Sequence, residues 1–271
     1  MAKYSKSTFC SAFTESDKKV AERAIQIAED VYRTITAEFE ITPEEPTSIY
    51  IFPSRKEINN AGVQDWVIGQ ASVGRGNIIL IQSPRSNQRI TLEKIISHEF
   101  THIVLGAVFK KGYLPRWLNE GLSMYEAKEW EFANNIKVGE AYLTKKLFPL
   151  SSITYTFPNN EAQAQLAYAQ SFDVLLFMMN EYGKDKIIGL IKELASGKEF
   201  NFAFKKSLGV NLYELEIAWQ KSLKKRFNWI CVITNSYLIW LMFPVLCLVV
   251  YLIKRQQVKK KIEKWEEEED W

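Results

Sequence analysis

Apolar positions recur at helical spacing from about Ser16 to Glu40, at Val20, Ala24, Ile27, Val31 and Ile35, before Pro43 and Pro46 close the segment. That spacing predicts one long amphipathic helix. The pattern then shortens. Ser48–Phe52 is a β-rich run, and Ser54 with Glu57 has the form of a capping box opening a short helix through Asn60. Trp66–Val73 and Asn77–Gln82 are two further apolar runs, and the Gly74-Arg75-Gly76 between them signals a hairpin. A polar loop from Pro84 to Arg89 follows. Helical spacing returns near Thr91, with Ile95, Ile96, Ile103 and Val104 as a buried face, and Gly106 and Gly112 punctuate the end. Pro115 stands where the first position of a helix favours it, so Arg116–Glu129 reads as the next helix. From Glu161 onward the pattern is almost entirely helical, broken at Gly183, Gly197 and Gly209. The expected fold class is therefore α+β: a small N-terminal mixed sheet with helices, then a mainly helical part.

Trp229 to Ile253 carries no charged residue. As a helix rising about 1.5 Å per residue it exceeds the roughly 30 Å of a bilayer's hydrocarbon core, so one transmembrane helix is expected there. Trp229 and Tyr251 fall where interfacial aromatics belong, and Pro244 is tolerable in such a helix. The expected organisation is a domain over residues 1–228, a span over 229–253 and a charged tail over 254–271. Lys254, Arg255, Lys259, Lys260, Lys261 and Lys264 outnumber Lys221, Lys224, Lys225 and Arg226, which favours a cytoplasmic tail and an extracytoplasmic domain at the cell membrane. The N-terminus shows no apolar signal segment, a cue that runs the other way.

Composition narrows the function classes. With 47% hydrophobic and 25% charged residues the chain can bury a real core, and its net charge of +3 is small. Its lysines are spread along helices rather than gathered with aromatics and glycines, so no nucleic-acid partner is expected. Cys10, Cys231 and Cys247 outline neither a disulfide framework nor a thiolate metal site.

The chemistry is concentrated in His98-Glu99-Phe100-Thr101-His102, which contains both histidines of the chain. Residues four apart project from one helical face, so both imidazoles can close on one Zn²⁺ while Glu99 faces the water that the ion activates. The bland alternative is two ordinary, partly buried histidines on an amphipathic helix. A zinc site that keeps a position open for water needs a third protein ligand, and with no histidine left that ligand is a carboxylate. Glu120 is the best placed, on the helix opened by Pro115. Glu126 and Glu129 compete from further along the segment, where an exposed helical face explains them more simply. A three-histidine metzincin site is excluded.

Together, His98-Glu-Phe-Thr-His102 and Leu114-Pro-Arg-Trp-Leu-Asn-Glu120-Gly-Leu-Ser123 resemble the gluzincins, most closely the peptidase MA-like group of bacterial zinc proteins. The similarity runs from about Tyr4 to Phe227 and includes Trp66–Ala71 and Ala167-Tyr-Ala-Gln-Ser171. It implies a zincin-like metallopeptidase domain with one Zn²⁺ on His98, His102 and Glu120, and Glu99 as general base. It also implies Tyr168, on a later helix, as a donor to the tetrahedral oxyanion, and Gly69–Val73 as the strand that receives a peptide. Two features depart from the family pattern. Met124 stands where the thermolysin branch has a histidine-orienting Asp, and the Gly-x-Met-Glu-Asn element of the aminopeptidase branch is missing.

The expected function is thus a membrane-anchored zinc metallopeptidase acting on a peptide or protein substrate. The alternative is a membrane-tethered zincin-fold protein that binds or senses without turnover. Cleavage within the bilayer is disfavoured, because Arg89, Glu93 and Lys94 flank the motif in a soluble segment.

Overall fold

The structure is a computed structural model that describes residues 2–5, 9–13, 17–64, 67–73, 76–83, 91–109, 112–129, 132–227 and 236–269. They form two compact units, Met1–Lys221 and Ser222–Trp271.

Five strands make the sheet of the first unit: β1 (Ala2–Ser5), β2 (Phe9–Phe13), β3 (Thr47–Phe52), β4 (Gly69–Ser72) and β5 (Asn77–Gln82), in the order β1-β2-β3-β5-β4. The centre is parallel, β2 with β3 and β3 with β5, while β1 and β4 are antiparallel outer strands. β3 and β5 alternate strictly, burying Thr47, Ile49 and Ile51 opposite Asn77, Ile79 and Ile81. One face of each strand therefore enters the core. The expected hairpin is present, with Gly69 opposite Ile81 and Ser72 opposite Ile78, although Asp65, Trp66, Gly74 and Arg75 lie outside the described residues.

Helix α1 (Lys18–Phe39) connects the parallel strands β2 and β3, as such a crossover requires. Its buried stripe is Ala21, Ala24, Ile25, Ile27, Ala28, Ile35 and Phe39, with Val20 and Val31 only at the margin. Helix α2 (Arg55–Asn60) is capped by Ser54, whose Oγ accepts from the Glu57 N–H at 3.4 Å. Helix α3 (Leu92–Val108) packs on α1, β4 and β5 and buries Ile95, Ile96, Phe100, Ile103, Val104 and Leu105. Gly106 lies inside its last turn rather than beyond it. A Cβ there would stand 2.6 Å from Val73 Cγ2, so this glycine lets the helix close on the end of β4.

The helical half comprises α4 (Arg116–Glu126), α5 (Phe132–Leu143), α6 (Glu161–Tyr182), α7 (Lys184–Ala195), α8 (Phe200–Leu208) and α9 (Leu212–Phe227). α4 packs against α3 and α6, and Gly121 permits the approach because a Cβ would meet the Ser171 carbonyl oxygen at 2.7 Å. Pro115 is the cap of α4 rather than its first residue, and the helix ends three residues earlier than expected. Lys128, in the left-handed region at φ 52°, turns the chain there: its N–H reaches Tyr125 O and that of Glu129 reaches Met124 O, both at 3.0 Å. That pair of bonds is a Schellman motif.

The expected transmembrane span does not stand. In the second unit α10 (Ser236–Glu269) takes in only 236–253 of the segment and then runs on through Lys254, Arg255 and the charged tail. Residues 228–235 lie outside the described residues. Among the described residues no helix is long and apolar enough to cross a membrane. The fold is α+β without that span, and the single-pass localisation, with its extracytoplasmic domain, falls with it.

Candidate metal centre

α3 begins at Thr91, whose Oγ1 accepts from the Lys94 N–H at 3.3 Å. The buried residues Ile95, Phe100 and Ile103 fix the rotation of the helix, so His98 and His102 emerge on one side with ring centroids 5.0 Å apart. α4 crosses α3 and brings Glu120 to them: its Oε2 lies 3.5 Å from His98 Nε2 and 3.4 Å from His102 Nε2. Ligand atoms of the three residues all fall within 4.8 Å of one another. Donors about 2.0–2.1 Å from a shared tetrahedral ion are separated by roughly 3.3–3.4 Å, close to the two measured separations. Two imidazoles and one carboxylate in this arrangement fit a metal ion.

The electrostatics agree with that donor set. Burial alone would raise the Glu120 carboxyl, yet the two imidazoles hold it far below the ordinary carboxylate range. Burial would lower His98 and His102, but the carboxylates of Glu129 and Glu120 around the first, and of Glu120 beside the second, more than reverse it. Such a nest of buried charge is costly unless something compensates it, and a divalent cation would.

Glu99 points into the same cavity, about 890 Å³, which is lined by β4, α3, α4 and α6 residues including Gly69, Ala71, His98, Glu120 and Tyr168. The carboxylate is buried, and burial is the main cause of its raised pKa; the Ala71 N–H donates to it. Gly69 makes room: a Cβ would stand 2.8 Å from both Glu99 Oε1 and Ile95 Cγ2. The missing side chain at Gly69 thus leaves room for the Glu99 carboxylate. Among the described residues β4 is an outer strand of the sheet.

Tyr168 comes from α6 and packs edge-on against Phe157 at 5.1 Å. Burial raises its phenol strongly, Glu120 adds to that, and a hydrogen bond from Arg116 partly offsets it. Arg116 stacks over Phe157 at 4.8 Å, and its Nε lies 3.5 Å from Glu120 Oε1, the oxygen turned away from the closer histidine contacts. One guanidinium therefore links the carboxylate to the phenol.

Three neighbours of this cluster, Arg116, Asn119 and Ser123, are given no role by the sequence reading, and a fourth, Glu129, enters it only as a competing ligand. His102 Nδ1 meets Asn119 Oδ1 at 2.9 Å and Ser123 Oγ at 3.1 Å, while His98 Nδ1 meets Glu129 Oε1 at 3.0 Å. Asn119 precedes Glu120 in the second motif, and that adjacency is its only signal in the sequence. Glu129 is not the exposed helical residue that its spacing suggests; its side chain is only 24% exposed and lies past the helix end. Glu126 points elsewhere, sharing a hydrogen bond with Glu38 beside Lys184.

Comparison with known proteins agrees with this geometry. The uncharacterized protein YhcO of Bacillus subtilis (strain 168) is 26% identical over 203 residues, covering 68% of this chain. The chain spans about three-fifths of that relative, 59% of its length. A family model described as the Peptidase MA superfamily matches residues 27–225, which include both motifs and every residue of the cluster. With most of the chain matched, the protein belongs to the Peptidase MA superfamily.

Proposed function

We propose that the protein is a zinc-dependent peptidase that hydrolyses peptide bonds with water. The observation that carries this reading is the convergence of His98, His102 and Glu120 at tetrahedral-edge separations beside the buried carboxylate of Glu99. Two imidazoles and a carboxylate are a donor set found in catalytic zinc sites, with a fourth position left for water or substrate. When bound, Zn²⁺ supplies Lewis acidity, making water nucleophilic near neutral pH and polarising the scissile carbonyl.

The chain's own residues do the rest. Glu99 takes the proton of the attacking water and delivers it to the leaving amine; its burial holds the pKa above the ordinary carboxylate value, nearer to what a base at neutral pH needs. The Ala71 N–H and the gap at Gly69 hold that carboxylate in place. Tyr168 donates its O–H to the oxyanion, oriented by Arg116 and the Phe157 ring. The substrate backbone lies along β4, the outer strand that lines the cavity.

The test joins metal to turnover in the purified full chain, using zinc content and cleavage of a quenched peptide library. Stoichiometric zinc is expected, with cleavage abolished and metal retained in Glu99→Gln, and metal lost in Glu120→Ala. Zinc bound by a wild-type chain that cleaves no peptide would overturn the enzymatic reading in favour of a binding or sensing protein.

A further inference from the structure

Four residues after Glu120 stands Met124, which is buried and has no carboxylate to orient His98. We propose that Glu129 is the positioning residue for His98, its carboxylate brought back to the far ring nitrogen by the Schellman turn that ends α4. The inference rests on the zinc reading above.

The geometry separates the two faces of the ring. Nε2 faces Glu120 Oε2 at 3.5 Å, whereas Nδ1 faces Glu129 Oε1 at 3.0 Å. With a metal on Nε2, Nδ1 keeps its proton and donates a hydrogen bond to the carboxylate, which fixes the tautomer and ring plane and makes Nε2 a stronger donor. Glu129 does not share the ion, because it occupies the opposite edge of the imidazole. The delivery is local: Lys128 at φ 52° reverses the chain, and the Glu129 N–H closes on Met124 O, setting the following carboxylate against α3. A regular helical continuation of α4 would carry residue 129 onward along the axis instead.

His102 is held differently. Its Nδ1 has the amide oxygen of Asn119 and the hydroxyl of Ser123, both neutral. A charged acceptor polarises an imidazole more strongly than a neutral one, so His98 is the stronger ligand of the pair. Loss of Glu129 therefore weakens metal binding directly, beyond any effect on turnover.

The decisive experiment measures zinc affinity of the full chain by competition with a chromophoric chelator, for wild type, Glu129→Gln and Glu129→Ala. Glu129→Ala should lower affinity about 10–100-fold, and Glu129→Gln, which keeps an acceptor but not the charge, should fall between it and wild type. A second readout is the slowly exchanging Nδ1–H signals of the zinc-loaded protein, readily assigned with two histidines in the chain. One should vanish in Glu129→Ala while the other stays. Affinity within twofold of wild type in Glu129→Ala, with both ring-proton signals kept, would overturn the assignment; if the alanine variant fails to fold, unchanged affinity in the near-isosteric Glu129→Gln does so instead. Failure of the zinc reading itself is distinct, since the wild-type chain would then bind no zinc.

Discussion

At the scale of single residues, room around Glu99 is as telling as the three proposed metal donors. A methyl group at position 69 would press on Glu99 Oε1 and Ile95 Cγ2, each 2.8 Å from it, and none of the three proposed ligands is among its nearest contacts. Gly69→Ala should therefore keep its zinc while losing catalysis, by about tenfold or more, as expected when a reacting group is displaced by a fraction of an ångström. Metal content and kcat measured on the same preparation separate the two effects; parallel loss of both would mean that the strand, not the base, had moved. Tyr168→Phe isolates the proposed oxyanion donor. It should bind zinc like wild type and lose about 10²-fold in kcat with little change in KM. Equal activity would leave Tyr168 as a packing partner of Phe157. These proposed roles are legible in the sequence to different degrees. His98, Glu99 and His102 can be read from one five-residue pattern, because helical periodicity alone puts the histidines together. Glu129 cannot, since its approach to His98 depends on a reversal of the chain that no local pattern announces.

The elements show the same division. α1, α3, α6 and the β4–β5 hairpin follow from periodicity and turn residues, and the strict alternation of β3 and β5 fixes which face is buried. The β1–β2 hairpin does not, because Ala2–Ser5 and Phe9–Phe13 lack a sustained apolar period and are organised by pairing, β1 with β2 and β2 with β3. The ends of α4 and α5 are obscure in the sequence for a physical reason: Lys128 and Lys145 occupy left-handed positions that glycine usually takes, so no glycine marks the stop as Gly183 and Gly209 do for α6 and α8. Side chains with a Cβ tolerate that conformation only at a cost of about 1 kcal/mol. Lys145→Gly, at the end of α5 and away from the metal cluster, should stabilise the protein by about 0.5–1 kcal/mol and raise Tm by a few degrees. Thermal unfolding followed by circular dichroism checks this. A lower Tm would mean that the entropy glycine adds to the unfolded chain outweighs the relief of strain.

Across the whole molecule, a half-buried acidic pair ties distant segments together. Glu126 of α4 hydrogen-bonds Glu38 of α1, and Lys184, at the start of α7, forms an ion pair with Glu38. Burial, reinforced by Glu38, pushes the Glu126 carboxyl up to about 8, so near neutrality it is held as the acid that donates to its neighbour. The sign of the pH dependence follows. A folded-state pKa above the unfolded value, near 4.5, contributes stability that is complete below about pH 4.5 and disappears as pH rises through about 8. A tenfold difference in proton affinity between the folded and unfolded chain corresponds to about 1.4 kcal/mol, and solvent reaching this partly buried residue reduces the net effect to on the order of 2 kcal/mol. Glu126→Gln keeps the shape and a donor but cannot ionise. Its stability relative to wild type should be near zero or slightly negative at pH 5, then climb by on the order of 2 kcal/mol by pH 9. Urea unfolding of metal-free wild type and variant at both pH values measures that difference, and contributions from the His98, His102 and Glu120 cluster cancel because both proteins carry it. A difference that stays flat from pH 5 to 9 would show that Glu126 titrates as an ordinary carboxylate. The link between α1, α4 and α7 would then rest on the Glu38–Lys184 pair and on packing rather than on a shared proton.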